Sequence, residues 1–288
     1  MSGELVILGA EGQVGREVAA AARRAGRPCR AYGHGALDIA DARAIDAAIT
    51  GPATIVNCAA YTAVDRAESE PALAQRANAY GPGLIAARCA AVGAILLHLS
   101  TDYVFDGSGD TPRDETAPVA PLNAYGRSKA DGEAAIRRSG ARHVILRVSW
   151  VFGAAGMNFV RTMRRLRASG REIRVVDDVV GGPTPAAAIA EALLAIHDAA
   201  SAPRFDGWGT YHFAGTPDTT WFDFARRILA DTPGARLAPV ASRDYPQAAP
   251  RPRNCRLDCA RIAARFGIAR PRWEDHLPAV IAAQREAS

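Results

Sequence analysis

Leu5-Val6-Ile7-Leu8-Gly9-Ala10-Glu11-Gly12-Gln13-Val14-Gly15 is the stretch that decides the fold. Four apolar residues in a row read as a strand buried on both faces. The glycines that follow, spaced GxxGxxG, open a helix over about residues 12–25. Glycines so placed permit a tight turn, close approach of backbone to a pyrophosphate, and close packing of helix on strand. The helix N-terminus adds free N–H groups and a positive dipole end. A strand, a glycine turn and a helix in this order predict a dinucleotide-binding βαβ unit.

The pattern repeats outward from that point. Further strands are expected at 28–32, 54–57, 94–99 and 143–148, with a long helix over 71–92 and another carrying Tyr125 and Lys129. Strands alternating with helices predict a doubly wound parallel sheet, an α/β Rossmann fold. Past Trp150 the alternation loosens into a helix near 158–168, a strand near 173–176, a helix near 185–200, and a stretch rich in Pro, Gly and Trp. Residues 1–153 are therefore read as the nucleotide-binding domain, with about 172–200 packing on it. Residues 154–171 and 201–288 are read as a smaller, partly interleaved substrate-binding domain.

Composition narrows the classes of function. No apolar run reaches the roughly 20 residues a membrane span needs, and the first residues lack a basic stretch and signal-peptide core. The five cysteines are scattered and odd in number, which points to reduced thiols in a cytoplasm and to no zinc site. A net charge of +5 invites a nucleic-acid reading, but the arginines are spread along the chain without an aromatic-rich basic block. The local cluster Arg161, Arg164, Arg165 and Arg167 reads as the solvated face of a helix. Of 35 lysines and arginines, one is a lysine, Lys129. It lies four residues after Tyr125, which puts both on one helix face.

Around the first βα turn, Gly9, Gly12, Gln13, Val14 and Gly15 are the candidate phosphate-binding residues. The second strand ends in Arg30-Ala31-Tyr32-Gly33-His34 without the acid that grips the ribose of NAD, so Arg30 or His34 is expected to receive a 2′-phosphate. NADPH is the cofactor expected, with NADH as the alternative. Asp38 and Ile39 suit the adenine end, and Ala60, Tyr61 and Thr62, after the third strand, line the pocket. Ser100-Thr101-Asp102-Tyr103 falls at the carboxyl edge of the sheet, where ligands bind in this fold. A hydroxyl, a phenol and a lysine in that order form a proton-transfer device, because an ammonium near a phenol lowers its pKa.

These motifs resemble the extended short-chain dehydrogenase/reductases and, within them, the dTDP-4-dehydrorhamnose reductases. The likeness runs through Gly9 to Gly15, Asn57 to Asp65, Ser100 to Phe105, Pro121 to Lys129, Arg147 to Phe152 and Arg251 to Leu257. The resemblance implies reduction of the 4-keto group of dTDP-4-dehydro-L-rhamnose. In that reading Thr101 polarises the ketone, Tyr125 gives the proton, and Lys129 holds the nicotinamide ribose and tunes Tyr125. Asp102, Tyr103 and Trp150 would line the sugar pocket, Arg251 and Arg253 would meet the diphosphate, and Asn78 would support a water relay. Where relatives have serine after RPxN, this chain has Cys255, so a diphosphate contact is expected to be weakened. Some relatives dimerise through magnesium held by glutamates. Glu17 matches one of these, but Ala186 and Ala187 stand in the other region, so no magnesium bridge is expected and the chain is read as a monomer or weak homodimer.

Rival readings remain at this level. A nucleotide-sugar dehydratase would carry a glutamate where Tyr103 stands, since elimination needs both an acid and a base on the substrate. A C4 epimerase uses the same Thr, Tyr and Lys. A non-catalytic NADP-binding regulatory subunit would not need that intact triad.

Overall fold

The computed structural model describes residues 3–286 apart from 169, 232, 233 and 235; the expected domain assignments of residues 1, 2, 287 and 288 fall outside that range. The strands are β1 (Leu5–Leu8), β2 (Cys29–Tyr32), β3 (Thr54–Asn57), β4 (Ile95–Thr101), β5 (Arg142–Val148), β6 (Val151–Phe152), β7 (Ile173–Val176), β8 (Val180–Gly181), β9 (Thr184–Pro185), β10 (Gly209–Phe213), β11 (Thr219–Thr220), β12 (Leu237–Val240) and β13 (Asn254–Cys255). The helices that matter below are α1 (Gln13–Arg24), α2 (Ala42–Ala48), α3 (Val64–Ser69), α4 (Pro71–Gln75), α5 (Gly81–Val92), α6 (Ala124–Arg138), α7 (Phe159–Arg167), α8 (Ala186–Ala200), α9 (Trp221–Ile228), α10 (Ala260–Phe266) and α11 (Trp273–Glu286).

Six parallel strands form the central sheet in the order β10-β5-β4-β3-β1-β2. Strand order reverses beside β1, so a crevice opens above the carboxyl ends of β1 and β3, the usual ligand site of such sheets. The reason the strands bury is in their sequence: all four residues of β1 and of β3 are inaccessible. Each apolar side chain so buried contributes on the order of 1.5–3 kcal/mol before entropy is counted. On one sheet face α1 packs against α8, through Ala19, Ala22, Ala188 and Ala192, small residues that let the helices approach closely. The other face is covered by Ile45, Ile85, Ala86 and Ile136 from α2, α5 and α6.

Two segments depart from the expected division. Residues 209–213, expected in the substrate-binding unit, form β10 and extend the central sheet beyond β5. Tyr211, His212 and Phe213 are buried there, and α10 closes over them through Ile262 and Phe266. This pairing covers an edge of β5 that would otherwise leave a row of backbone groups unpaired. Conversely, β7, expected to pack on the nucleotide-binding unit, pairs with β12. Its Ile173 and Val175 join a second core with Phe152, Met163, Phe224 and Trp273. Of the α7 arginines, Arg165 and Arg167 are exposed as a solvated face requires, whereas Arg161 donates to the Ala154 carbonyl at 3.0 Å and Arg164 to the Ile281 carbonyl of α11 at 3.2 Å.

The helix expected over 71–92 is continuous but not uniform. A π-turn at Arg76–Tyr80 separates α4 from α5. No helix among the described residues is long and apolar enough to cross a membrane.

Candidate active site

The turn after β1 does what its glycines permit. Gly9 has φ +77°, and a Cβ there would lie 2.5 Å from the Ala59 nitrogen. A Cβ on Gly15 would collide with the Gly9 carbonyl oxygen, so α1 can sit this close to the turn only without one. The helices α2, α6, α7 and α9 each open on a side-chain cap, from Asp41, Asn123, Asn158 and Thr220. By contrast, α1 opens on Gly12 with no side-chain cap and no acid in its first turn. Its free N–H groups suit an anion. Beside it is a cavity of about 460 Å³ lined by Gly9, Gly12, Asp38, Ile39, Ala60 and Tyr61, with Glu11, His34, Cys58 and Arg76. An adenosine diphosphate half of a dinucleotide fits that donor set and shape.

Not every expected residue reaches this cavity. Arg30 is committed elsewhere: it makes a two-pronged pair with Glu4 at 2.8 and 2.9 Å and donates to the Ala48 carbonyl. Thr62 is exposed and is not among the lining residues. Val14 is buried on the inner face of α1, and the Gln13 amide is tied to Met157 and Asn158. The lining cation that sequence reasoning missed is Arg76, which pairs with Asp38 at 2.7 Å. Its neighbour Asn78 is anchored by its side chain, accepting from Tyr61 N–H at 2.8 Å and donating to the Tyr61 carbonyl and Ser128 hydroxyl. That side chain pins the loop carrying Tyr61.

At the carboxyl end of β4 the chain turns sharply through Asp102–Val104, capped by the Thr101 hydroxyl, which accepts from Tyr103 N–H at 3.1 Å. Thr101 donates to the Asp102 carboxylate at 3.0 Å, and Ser149 donates to its other oxygen at 3.2 Å. Burial pushes the Asp102 carboxyl up to about 6 despite these bonds and that of Cys255. Asn123 caps α6 and so fixes the first turn, where Tyr125 stands. Burial pushes the Tyr125 phenol up to about 12, with the Thr101 hydroxyl bond opposing it. One turn on, Lys129 is 2% exposed and donates to the Leu99 carbonyl at 2.7 Å. Burial brings its ammonium down to about 8, against Glu133 and Cys58, which favour the charge. In this arrangement the Thr101 hydroxyl bond eases the phenol's ionisation.

A second cavity has a volume of about 380 Å³; Tyr125 lines neither cavity but touches one wall residue of each. Tyr103, Phe159, Trp221, Tyr245, Arg251 and Cys255 contribute to its wall. The Tyr103 and Tyr125 rings meet edge to face at 5.7 Å, while Tyr125 packs with Tyr61 of the first cavity over Ala67, Ala74 and Ala124. Tyr125 therefore stands at the seam between the two. Arg251 reaches this cavity and is steadied by Asp65, at 2.8 and 3.0 Å. Arg253 does not: it points outward beside Asp178 and is largely exposed. Asn254 of the same segment is structural, donating to the Gly109 and Thr111 carbonyls.

Trp150 is displaced from its expected role. It is 8% exposed, in the left-handed region at φ +45°, and stacks beneath Trp221 with ring centroids 3.6 Å apart. A bulky residue at positive φ stores roughly 1–3 kcal/mol of strain. Here the stacking and the fit of Gly181 against the Trp150 ring hold it. Trp221, not Trp150, presents a face to the cavity. Cys255 is buried, with burial raising its thiol well above its ordinary value, so it stays a neutral wall of the cavity.

Comparison with known proteins agrees with this geometry. Residues 3–286 match the family described as the RmlD substrate binding domain. The chain is 44% identical over 265 residues to the dTDP-4-dehydrorhamnose reductase of Streptomyces griseus, covering 90% of this chain and 86% of that one. The crystal structure of the reductase from Clostridium acetobutylicum superposes with a TM-score of 0.92 at 32% identity, over 98% of this chain and 99% of that one. The Bacillus anthracis reductase in complex with NADP gives 0.90 at 32% identity, over the same shares. With the fold, the uncapped α1 and the Thr101–Tyr125–Lys129 arrangement already in place, these likenesses make this chain a member of the dTDP-4-dehydrorhamnose reductase family.

Proposed function

We propose that this chain reduces the 4-keto group of dTDP-4-dehydro-L-rhamnose to give dTDP-L-rhamnose, with NADPH as the reductant. The observation that carries this reading is the position of Tyr125 between the wall of a cavity that fits the adenosine diphosphate half of a dinucleotide and that of a second cavity walled by aromatic rings and Arg251. A reduced nicotinamide dinucleotide with its adenosine diphosphate half in the first cavity would supply hydride to the carbonyl carbon of a sugar held in the second. The protein must supply one proton to the carbonyl oxygen. Tyr125 is the donor: burial keeps its phenol protonated through the physiological range, the state from which a general acid starts. The Thr101 hydroxyl positions the same oxygen, and Lys129 holds the ribose and is the positive charge that stabilises the phenolate as it forms. Arg251, steadied by Asp65, faces the diphosphate, and the indole of Trp221 gives the sugar an apolar face.

NADPH is favoured over NADH by Arg76. Its pairing neutralises Asp38, one of two acids lining the cavity with Glu11, and leaves a guanidinium with further donors beside His34. Arginine is suited to phosphate recognition because its planar fork presents several donors. The test is NADPH and NADH oxidation by purified protein given dTDP-4-dehydro-L-rhamnose. Turnover with NADPH preferred is expected. Cofactor binding without oxidation of either would overturn the reading in favour of a regulatory subunit.

A further inference from the structure

Asn57, His98 and Lys129 form a buried polar chain across β3, β4 and α6; none is more than 2% exposed. The direction of each hydrogen bond in it is fixed from one end. Asn57 Oδ1 accepts from Ala59 N–H at 3.1 Å, so its amide is oriented and Nδ2 faces His98 Nδ1 at 3.0 Å as donor. His98 Nδ1 is then an acceptor, and a neutral imidazole accepting at Nδ1 carries its proton on Nε2. Burial holds His98 neutral. Its Nε2–H lies 3.3 Å from Lys129 Nζ. An ammonium has three donors and no acceptor, so a charged Lys129 would set donor against donor. A neutral amine has a lone pair for the His98 N–H and an N–H for the Leu99 carbonyl, 2.7 Å away.

We propose that Lys129 stands as a neutral amine in the cofactor-free protein, set so by the Asn57-fixed tautomer of His98, and takes up one proton when the cofactor site fills. This rests on the reading that the crevice binds a nicotinamide dinucleotide. The groups around Lys129 agree with it. On β3 and its loop are Asn57 and the Cys58 thiol, which burial keeps un-ionised. On β4 is His98, and on β5 is His143, whose ring is turned to the Ala141 carbonyl. On α6 are Tyr125, a neutral phenol, and Glu133, whose carboxylate favours the charged lysine. That carboxylate is already bound by Arg147 at 2.8 and 2.6 Å and by Ser100 at 2.6 Å. Burial alone brings Lys129 down to about 8; a bond that only the neutral form can accept acts in the same direction. The consequence is that cofactor affinity strengthens as pH falls, and the ammonium arises only with the ligand that needs it.

Because the chain has one lysine, protein labelled with lysine carrying carbon-13 at Cε gives a single resonance that reports Lys129 alone. In the free protein at pH 8 the amine shift is expected, and added NADPH should move it to the ammonium shift. Asn57→Asp keeps an acceptor for Ala59 N–H but takes the proton-bearing Nδ1 of His98, leaving Nε2 as an acceptor for an ammonium. Its free-protein midpoint should rise by about one to two units. His98→Gln, whose amide can turn its oxygen to Lys129, should do the same if the first variant fails to fold. An ammonium shift in the free wild-type protein at pH 8, or an unmoved midpoint in a folded variant, overturns the proposal. NADPH fluorescence read in the same tubes separates the two levels: if it shows no binding, the cofactor reading itself falls, whatever the lysine signal does.

Discussion

The cavity above β1 and β3 is lined mostly by short runs of neighbouring residues, Gly9, Glu11 and Gly12, Leu37 to Ile39 and Cys58 to Tyr61, joined by His34, Leu73, Arg76 and Ala77. The second cavity instead collects side chains from distant segments: Tyr103 after β4, Phe159 on α7, Trp221 on α9, and Tyr245 to Cys255 near β13. The first site works by what is missing, a Cβ at Gly9 and a cap on α1. The second works by what is present, rings and a guanidinium. A site lined by such runs tolerates few changes in chain path, while a site lined by scattered side chains can alter its ligand by single substitutions. The two halves should therefore respond separately to mutation, except at the residue that joins them.

That residue gives the largest expected effect. Tyr125→Phe removes the phenol that bridges the cavities while keeping its ring against Tyr103 and Tyr61. Turnover should fall by about 10²–10⁴-fold, the range for loss of a general acid, with NADPH affinity and sugar-nucleotide KM nearly unchanged. Residual activity near that of the wild type would mean that the proton comes from elsewhere. Arg76→Ala tests the cofactor half alone. Loss of the cation that neutralises Asp38 should weaken NADPH by about 10–100-fold, roughly 1–3 kcal/mol. NADH affinity and sugar-nucleotide KM should not move. An equal loss for both cofactors would show that Arg76 supports the loop rather than the 2′-phosphate.

Trp221→Leu tests the sugar half in the same way, at smaller amplitude. Leucine keeps apolar bulk over Trp150 but offers no flat face. A rise of about tenfold in sugar-nucleotide KM, near 1.4 kcal/mol, is expected with cofactor KM constant. If both constants rise together, the halves are mechanically coupled and the contrast drawn between them is too sharp.

How far each half could be read from sequence follows from the same difference. The turn after β1 was legible because strand, glycines and helix are consecutive and each residue's task is local. Tyr125 and Lys129 were legible because a helix brings residues four apart together. The two tryptophans were not: which one faces the second cavity depends on the positive φ of Trp150 and on α9, about 70 residues further along the chain. Arg30 was misplaced because its partner, Glu4, sits on the far side of the strand pair from the cavity-lining residues. For the buried chain that flanks Lys129 a signal did exist. Asn57 and His98 interrupt strands that are otherwise apolar or small, and a polar residue in a doubly buried strand requires a partner.

The smallest expected effect concerns stability, and it asks whether the buried acid behind Tyr103 and Cys255 of the second cavity carries a cost that the cofactor half does not. Asp102 is 3% exposed, and burial raises its carboxyl from 3.8 to about 6. Between those values the folded protein holds a proton that the unfolded chain has released. Stability therefore falls as pH rises through this window and levels off above it. The full span corresponds to at most about 3 kcal/mol, of which roughly 1–2 kcal/mol lies between pH 5 and 7. Asp102→Asn removes the titration while keeping an acceptor for the Thr101 hydroxyl. Ser149 can accept from the new amide, because its own proton can go to the Cys255 carbonyl, 3.2 Å away. Melting curves of cofactor-free wild type and variant at pH 5, 6, 7 and 8 should show the variant gaining a few degrees on the wild type by pH 7 and then holding that gap. A gap that is flat in pH would place the Asp102 proton in the same state folded and unfolded. A gap that narrows as pH rises would mean that the Thr101, Ser149 and Cys255 bonds outweigh the burial of the carboxylate, making this acid a support of the sugar half rather than a burden on it.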